Sequence, residues 1–560
     1  MADHVYERLA DSFIAENVRT CFALLGDANM NWATALSDRG VDMVYVRHEH
    51  CAVAAASAFA RKTGDVGVAT VTCGPGLTQI LTALPAAVRA GIPLVIFAGE
   101  APLGAAWYNQ AIDQAPFIAA TGASYHALHH VPSMQTAIRD AFVEAKEQRK
   151  PVVIGVPFDL QGQTAPEGLK PPTPSHQIMP DLLPFPPNPD GVAKAAELIK
   201  TSKRIVVMGG LGAAYSGAQE ACQVLAEKTG ALLATSLPAR GLFYGNPYSV
   251  GVAGGFSTTL ARALFAECDL LISVGCSLAQ HNQDKGKLFP KARVLQIDTD
   301  PRAMNQGLVS ATDHLRGDAK LAVSALIDAV NPTKGWRSDK LATAIASAPM
   351  DTVEFATEPG LLDPRDVVTA LDAALPEDWQ TVNSSGHCSF YFAHMNRPFE
   401  KFLTIREFGA IGNGISYAMG VAAAKPGDTV VMFDGDGSLL MHIQELETIK
   451  RHGMNVLICV LNDGAYGSEI HKLRDEGLST DGAVFGRLDL GAIARGFGVG
   501  GHRVTDLAQL PALVQDFAQT GGAAVWDFPI SDLVANPVVR RAHPNGHSGR
   551  EQPVDIKDLI

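Results

Sequence analysis

Phe433-Asp434-Gly435-Asp436-Gly437-Ser438 closes an apolar run at residues 429–433, and 24 residues separate Gly437 from the pair Asn462-Asp463, which closes a second run at 456–461. The apolar runs predict strands, and the stretch 443–451 between them predicts a helix. A strand-helix-strand unit of this length takes a right-handed crossover, which lays the strands parallel with their carboxyl ends side by side, where open α/β sheets bind ligands. Asp436 and Asp463 then reach one ion. Oxygen donors and a diphosphate suit Mg²⁺, and Gly435 and Gly437 let backbone N–H groups approach phosphate oxygens. A tight turn with a capping aspartate would explain Asp-Gly alone. The spacing and the position after two strands favour the ligand site.

The same alternation recurs on either side. Residues 41–46, 66–71 and 93–98 read as strands around helices at 51–62 and 77–90, with a Gly74-Pro75-Gly76 turn between, and 204–208, 270–274 and 293–297 read as strands further on. Two stretches break the pattern: residues 166–190, dense in proline from Pro166 to Pro189, and residues 336–362, around Pro349 and Pro359. The expectation is an α/β protein of three domains, each with a central, mostly parallel sheet flanked by helices, at 1–165, 191–335 and 363–540. The two broken stretches are linkers, and 541–560 is a C-terminal tail.

Composition narrows the function classes. Of 560 residues 47% are hydrophobic and 18% charged, below the roughly 25% charged of ordinary soluble domains, as large subunit interfaces would produce. The 45 basic and 58 acidic side chains give a net charge of −13 without a Lys/Arg run, which argues against nucleic-acid binding. Eight cysteines without a C-x-x-C pair read as buried thiols in a reducing compartment. The charged N-terminus and the lack of an apolar run of about 18 residues predict a cytoplasmic protein with no membrane partner.

Gly435-Asp436-Gly437, followed about two dozen residues later by an Asn-Asp pair after a strand, resembles the thiamine diphosphate motif. The likeness extends over nearly the whole chain to the acetolactate synthase, pyruvate decarboxylase and benzoylformate decarboxylase group. It implies the thiamine diphosphate-binding fold, with pyrimidine-binding, central and diphosphate/Mg²⁺-binding domains in that order. By resemblance the metal ligands are Asp436, Asp463 and the carbonyl of Ala465, with Gly435, Gly437, Ser438 and Tyr466 beside the cofactor. Asp463 departs from the family's usual Asn and adds a negative charge beside the diphosphate. Arg47-His48-Glu49-His50 resembles the family's Arg-His-Glu stretch, which gives Glu49 the hydrogen bond to the cofactor's pyrimidine ring. Its place at a helix N-terminus favours the ionised form. Thr72-Cys73-Gly74-Pro75-Gly76 resembles the Thr-Ser-Gly-Pro-Gly of acetolactate synthases, and Thr72 would border the pyrimidine. Glu407-Phe408-Gly409-Ala410-Ile411-Gly412 resembles the segment that receives the cofactor's amino group, on Gly409, and wedges the cofactor into a V, with Ile411. Asn383-Ser384-Ser385-Gly386-His387 stands where acetolactate synthases contact the diphosphate, through Ser384, Gly386 and His387.

Around the reacting carbon the likeness is divided. Leu25-Gly26-Asp27-Ala28-Asn29 resembles the Gly-Asp-x-Asn turn of pyruvate and indolepyruvate decarboxylases, and Glu469 follows Asp463 by the six residues of that subgroup. Two carboxylates near a carbonyl can divide proton transfers. That subgroup's paired histidines are missing, with Leu103-Gly104-Ala105-Ala106 in their place. Gln110 and Gln114 instead resemble glutamines of acetolactate synthase and benzaldehyde lyase. His281 falls near the central-domain histidine of benzoylformate decarboxylase. The loop 275–281 lacks every residue that holds FAD in the flavin-containing synthases, so the resemblance argues against FAD. Val206-Val207-Met208-Gly209-Gly210-Leu211-Gly212 lacks the third glycine of a dinucleotide fingerprint, with Tyr215 there, and reads as a strand-to-helix turn.

The expectation is a thiamine diphosphate- and Mg²⁺-dependent 2-oxo acid decarboxylase or carboligase, acetolactate synthase-like. Its partner is a small 2-oxo acid or ketone, and it forms a homodimer or homotetramer with active sites between subunits. The alternatives are a non-decarboxylating lyase or dione hydrolase of the same group and, from another class, an inactive regulatory subunit.

Overall fold

The apolar runs sort into three six-stranded parallel sheets in the computed structural model, which describes residues 3–356, 358–547, 551 and 554–560. In the first sheet the strands lie in the order Asp42–Tyr45, Thr20–Ala23, Gly67–Val71, Leu94–Glu100, Pro151–Pro157, Ser124–Ala127. The third sheet repeats that topology with Phe402–Leu403, Gln380–Asn383, Val430–Gly435, Val456–Asn462, Ala523–Pro529, Gly500–Arg503. The middle sheet runs Asp313–Arg316, Arg293–Asp298, Leu270–Val274, Ile205–Gly209, Leu232–Thr235, Ser249–Val252, the doubly wound order. There Gly210 and Gly212 approach the backbone of Gly275 so closely that an added Cβ would fall 2.3 and 2.8 Å from it, which makes the glycine turn a packing device.

In the third sheet Val430–Gly435 and Val456–Asn462 pair in parallel from Val430 against Val456 to Gly435 against Leu461. Their carboxyl ends therefore carry Asp436 and Asp463 to one edge. The first and third domains share a continuous core. Helix Glu49–Thr63 lays its alanine-rich face on helix Gly414–Ala424, and a Cβ on Gly420 would stand 2.2 Å from the carbonyl of Ala55. Only glycine permits that approach.

Three elements depart from the expected pattern. The helix expected at 77–90 is a turn at Pro75–Thr78 and a separate helix at Ala83–Arg89, because Pro85 cannot donate within a helix and is tolerated only in a first turn. The first broken stretch holds helix Ser175–Ile178, whose buried Ser175 donates its N–H to the Glu16 carboxylate at 2.8 Å. The tail folds back, with Ile556 buried in the central domain beside Leu264 and Leu288. Among the described residues no helix is long and apolar enough to cross a membrane.

Candidate active site

Strand Val430–Gly435 ends in a helical turn, Asp436–Leu439, which buries Asp436 to 3% exposure. Gly464 N–H donates to Asp436 Oδ2 at 2.8 Å and Ala465 N–H to Asp463 Oδ1 at 3.2 Å, so both carboxyls are aimed at the same space. Burial raises the Asp436 carboxyl to about 7, and burial together with the charge of Asp436 raises Asp463 well above its usual range. No lysine or arginine offsets either one among the described residues. Two buried carboxyls without a counter-charge suit a hard cation. Among the described residues no three His, Cys, Asp or Glu side chains gather around a common point, so the remaining donors would be main-chain and ligand oxygens. That donor set fits Mg²⁺ with a diphosphate.

The other residues expected on this side are close by. Gly412 N–H donates to Ser438 Oγ at 2.8 Å, and Ser438 Oγ lies 3.4 Å from Ser384 Oγ. Gly386 has a φ of +109°, and a Cβ there would meet Ile411 at 3.7 Å and the Cys388 thiol at 4.0 Å. A Cβ on Gly437 would strike the Tyr466 ring at 2.9 Å, so this glycine lets the tyrosine lie over the turn. Gly409, at φ +75°, is exposed with free space around it. His387 accepts from Asn536 N–H through Nε2 at 3.0 Å, which assigns its proton to Nδ1, and burial lowers it to about 3 and keeps it neutral.

The first domain supplies a second cluster. Glu49 opens its helix behind the His48 cap, and half-burial raises its carboxyl from the usual range. A Cβ on Gly76 would lie 3.5 Å from Glu49 Oε1 and 2.8 Å from Thr72 Cγ2. Thr72 in turn presses on Gly26, where a Cβ would stand 2.6 Å from it, and this seats the turn that carries exposed Asp27. Asp27 lies beside Tyr108 and Cys73, and Cys73 Sγ donates to Gln110 Oε1 at 3.4 Å. Gln114 accepts from Gly74 N–H at 3.1 Å and donates to the Gly99 carbonyl and Tyr125 hydroxyl at 3.0 Å each, which makes it a positioning group for the turn. His281 and Glu469 lie outside both clusters: His281 is exposed, and Glu469 pairs with Lys472 at 2.8 Å on the surface.

Within the chain the clusters are joined by groups the sequence reading did not select. His50 hydrogen-bonds Asn413 and stacks on His442 at 4.9 Å, and His442 Nδ1 meets the Gly412 carbonyl at 2.9 Å. Burial lowers His50 to about 4, so it bonds as a neutral ring. Nothing in the local sequence marks Asn413 or His442. Tyr108 stands two residues before Gln110, and its contact with Cys73 emerges only once the loop folds.

Three family models match the chain in order: "Thiamine pyrophosphate enzyme, N-terminal TPP binding domain" at residues 3–117, the "central domain" at 192–326, and the "C-terminal TPP binding domain" at 384–528. The acetolactate synthase large subunit of Parasynechococcus marenigrum is 30% identical over 527 residues, 89% of this chain and 83% of that protein. The chain belongs to the thiamine pyrophosphate enzyme family. Acetolactate synthase isozyme 2 large subunit of Escherichia coli is 29% identical over 93% of this chain and 94% of its own. A probable acetolactate synthase large subunit of Methanocaldococcus jannaschii is 29% identical over 82% of this chain and 80% of its own.

This thiamine pyrophosphate enzyme therefore has its cofactor assigned, and the carboxyl pair predicts how binding depends on pH. A folded-state value raised to about 7 means the cofactor-free protein holds protons that the unfolded chain has lost. The stability this provides is present at acid pH and is lost as pH rises through about 7. Ligands must shed those protons to hold a cation, so Mg²⁺-dependent cofactor affinity should climb with pH through about 7 and level off only once Asp463 is ionised as well. Calorimetric titration in buffers of different ionisation enthalpy should show proton release on binding below that point.

Asp463→Asn is expected to keep cofactor binding within a few-fold, because an amide oxygen remains a hard donor. It should also flatten the pH dependence, since one buried charge facing Asp436 is gone. Melting of the cofactor-free variant at pH 8 should rise above wild type.

Proposed function

We propose that this enzyme is a Mg²⁺-dependent 2-oxo acid decarboxylase or carboligase of acetolactate synthase type. The observation that carries the reading is the gathering of Glu49, Asp27, Cys73 and Gln110 around the Thr72–Gly76 turn, in a chain whose third domain presents the paired carboxyls of Asp436 and Asp463. Named relatives that are acetolactate synthase large subunits support it. Bound thiamine diphosphate supplies a nucleophilic carbon that adds to a carbonyl and accepts the electrons freed when CO₂ leaves. Glu49 holds a proton at the pyrimidine ring nitrogen, and its raised carboxyl brings that exchange nearer to neutral pH. Asp436, Asp463 and the Ala465 carbonyl hold the cation, while Ser384, Gly386, Ser438 and His387 line the diphosphate side. Asp27 faces the reacting carbonyl and hands protons to it or takes them from it.

A second subunit completes the site in this reading. An apolar groove of about 580 Å³, lined by Leu81, Pro85, Arg89, Pro116, Phe117 and Phe408, runs between the first domain and the segment bearing Gly409, and it supports a homodimer or homotetramer. Sedimentation showing a fully active monomer would contradict this. The eight cysteines are free and buried, which supports a reducing, cytoplasmic setting. Retention of both Glu49 and Asp436 speaks against an inactive regulatory subunit.

The test is CO₂ release from a panel of 2-oxo acids, with and without acceptor aldehydes, by protein loaded with thiamine diphosphate and Mg²⁺. Cofactor-dependent CO₂ release is the expected result. Cleavage of a neutral dione or acyloin with no CO₂ from any acid would shift the reading to a lyase or dione hydrolase.

A further inference from the structure

Arg406 lies three residues before Gly409, and its guanidinium stacks over the Phe256 ring of the central domain at 4.9 Å. Burial lowers this group only to about 10, so it is charged at neutral pH. Nη1 is shut off from solvent and has no hydrogen-bond partner, and the side chain makes no ion pair among the described residues. The guanidiniums of the buried arginines are tied to other groups: Arg540 pairs with Asp351 at 2.7 Å, although its Nε has no partner, and Arg240 donates to the Ala393 carbonyl at 2.9 Å. The neighbouring Glu407 accepts from Arg406's own main-chain N–H at 2.7 Å and lies 3.5 Å from Arg61. The guanidinium is partly buried, and the Glu407 charge favours its charged form without hydrogen-bonding to it, so the shielded Nη1 donor is open to an anion.

The position says where that anion would come from. The Cys388 thiol feels the positive charge of Arg406 together with the negative charges of Asp434, Asp463 and Asp436, so it lies within electrostatic reach of both. Cys388 also borders Gly386 and Gly435, at 4.0 and 3.5 Å from where their Cβ atoms would stand. Phe256 follows Gly255, whose N–H donates to the His281 carbonyl at 3.2 Å. Arg406 thus occupies the junction of the cofactor turn, the Ile411 segment and the central-domain loop carrying His281.

We propose that Arg406 receives an anionic oxygen group of the bound reactants. Two sources share this chemistry, the carboxylate of a 2-oxo acid substrate and the diphosphate of the cofactor. The substrate arm rests on the proposed function; the cofactor arm does not. A planar guanidinium suits either, because it offers paired donors to two oxygens of one group.

The experiment uses the full-length protein with Arg406→Met and Arg406→Lys, the second keeping a charge should the first fail to fold. Cofactor affinity is measured by titrating thiamine diphosphate into apo protein at fixed Mg²⁺. Substrate-site affinity is measured on loaded protein with methyl acetylphosphonate, a charged 2-oxo acid mimic that cannot lose CO₂, and with neutral butane-2,3-dione. For a substrate role, Arg406→Met should weaken the phosphonate by about 10–100-fold while leaving the dione and the cofactor unchanged, with Arg406→Lys in between. For a diphosphate role, the same loss should appear in cofactor affinity instead. Wild-type protein that binds thiamine diphosphate but not the phosphonate would count against the 2-oxo acid reading while leaving the cofactor arm measurable. Cofactor and phosphonate affinities unchanged within about twofold in both variants, or losses that only track dissociation of the oligomer, would overturn the assignment.

Discussion

Asp436→Ala is expected to abolish Mg²⁺-dependent retention of thiamine diphosphate. Asp436 is buried, oriented by the Gly464 N–H at 2.8 Å, and faces Asp463 with no cation beside it. Removing it leaves the metal one carboxylate and one carbonyl from this turn. Partners in the outer shell of metal sites already cost about 10–100-fold in affinity, so loss of an inner ligand should exceed about 100-fold. The fold should survive, because a buried carboxyl raised to about 7 opposes a second one and its removal relieves that repulsion. Equilibrium dialysis with thiamine diphosphate at fixed Mg²⁺, together with thermal melting of the apo protein, separates the two effects. Undiminished binding in the variant would take Asp436 out of the metal site.

Glu49→Gln is expected to reduce turnover by about 10²–10⁴-fold with assembly intact, the range of a positioned acid-base group. Gln has the same shape and can still hydrogen-bond, so the helix start behind the His48 cap and the contact with Gly76 should persist. What it cannot do is take and return a proton. Half-burial raises the Glu49 carboxyl above its usual range, which places an acid limb in the pH-rate profile where Glu49 becomes protonated. That limb should disappear in the Glu49→Gln variant. A change in cofactor affinity worth about 0.5–3 kcal/mol can accompany the substitution, since one hydrogen bond changes character. Measurement at saturating cofactor removes that contribution.

The elements read best from the sequence were those whose signal is local. Strands expected at 270–274 and 456–461 are Leu270–Val274 and Val456–Asn462, because buried parallel strands are continuous apolar runs bounded by turn residues. Asp436 and Asp463 were legible for the same reason, since one strand-helix-strand unit brings them together. The helix expected at 77–90 was obscured by its apolar composition, which hides the break that Pro85 imposes. Cys51 to Lys62 could be read as helical from its alanines, but not as the face shared with the third domain, whose fit depends on Gly420 far along the chain. The bond between His50 and Asn413 spans 363 positions, and the unpaired charge of Arg406 depends on a ring from another domain. Such burial is a property of the assembled fold and leaves no periodic trace. Gln114 illustrates the reverse case: resemblance selected it, and its three hydrogen bonds then placed it behind the Gly74 turn.

Exchange of the C2 proton of thiamine diphosphate, bound at saturation with Mg²⁺ to wild type and to Glu49→Gln protein, tests the central claim most directly because no substrate is needed. Exchange slower by about 10²–10⁴-fold in the variant is the expected result. Equal exchange rates in the two proteins would contradict it and remove Glu49 from the chemistry.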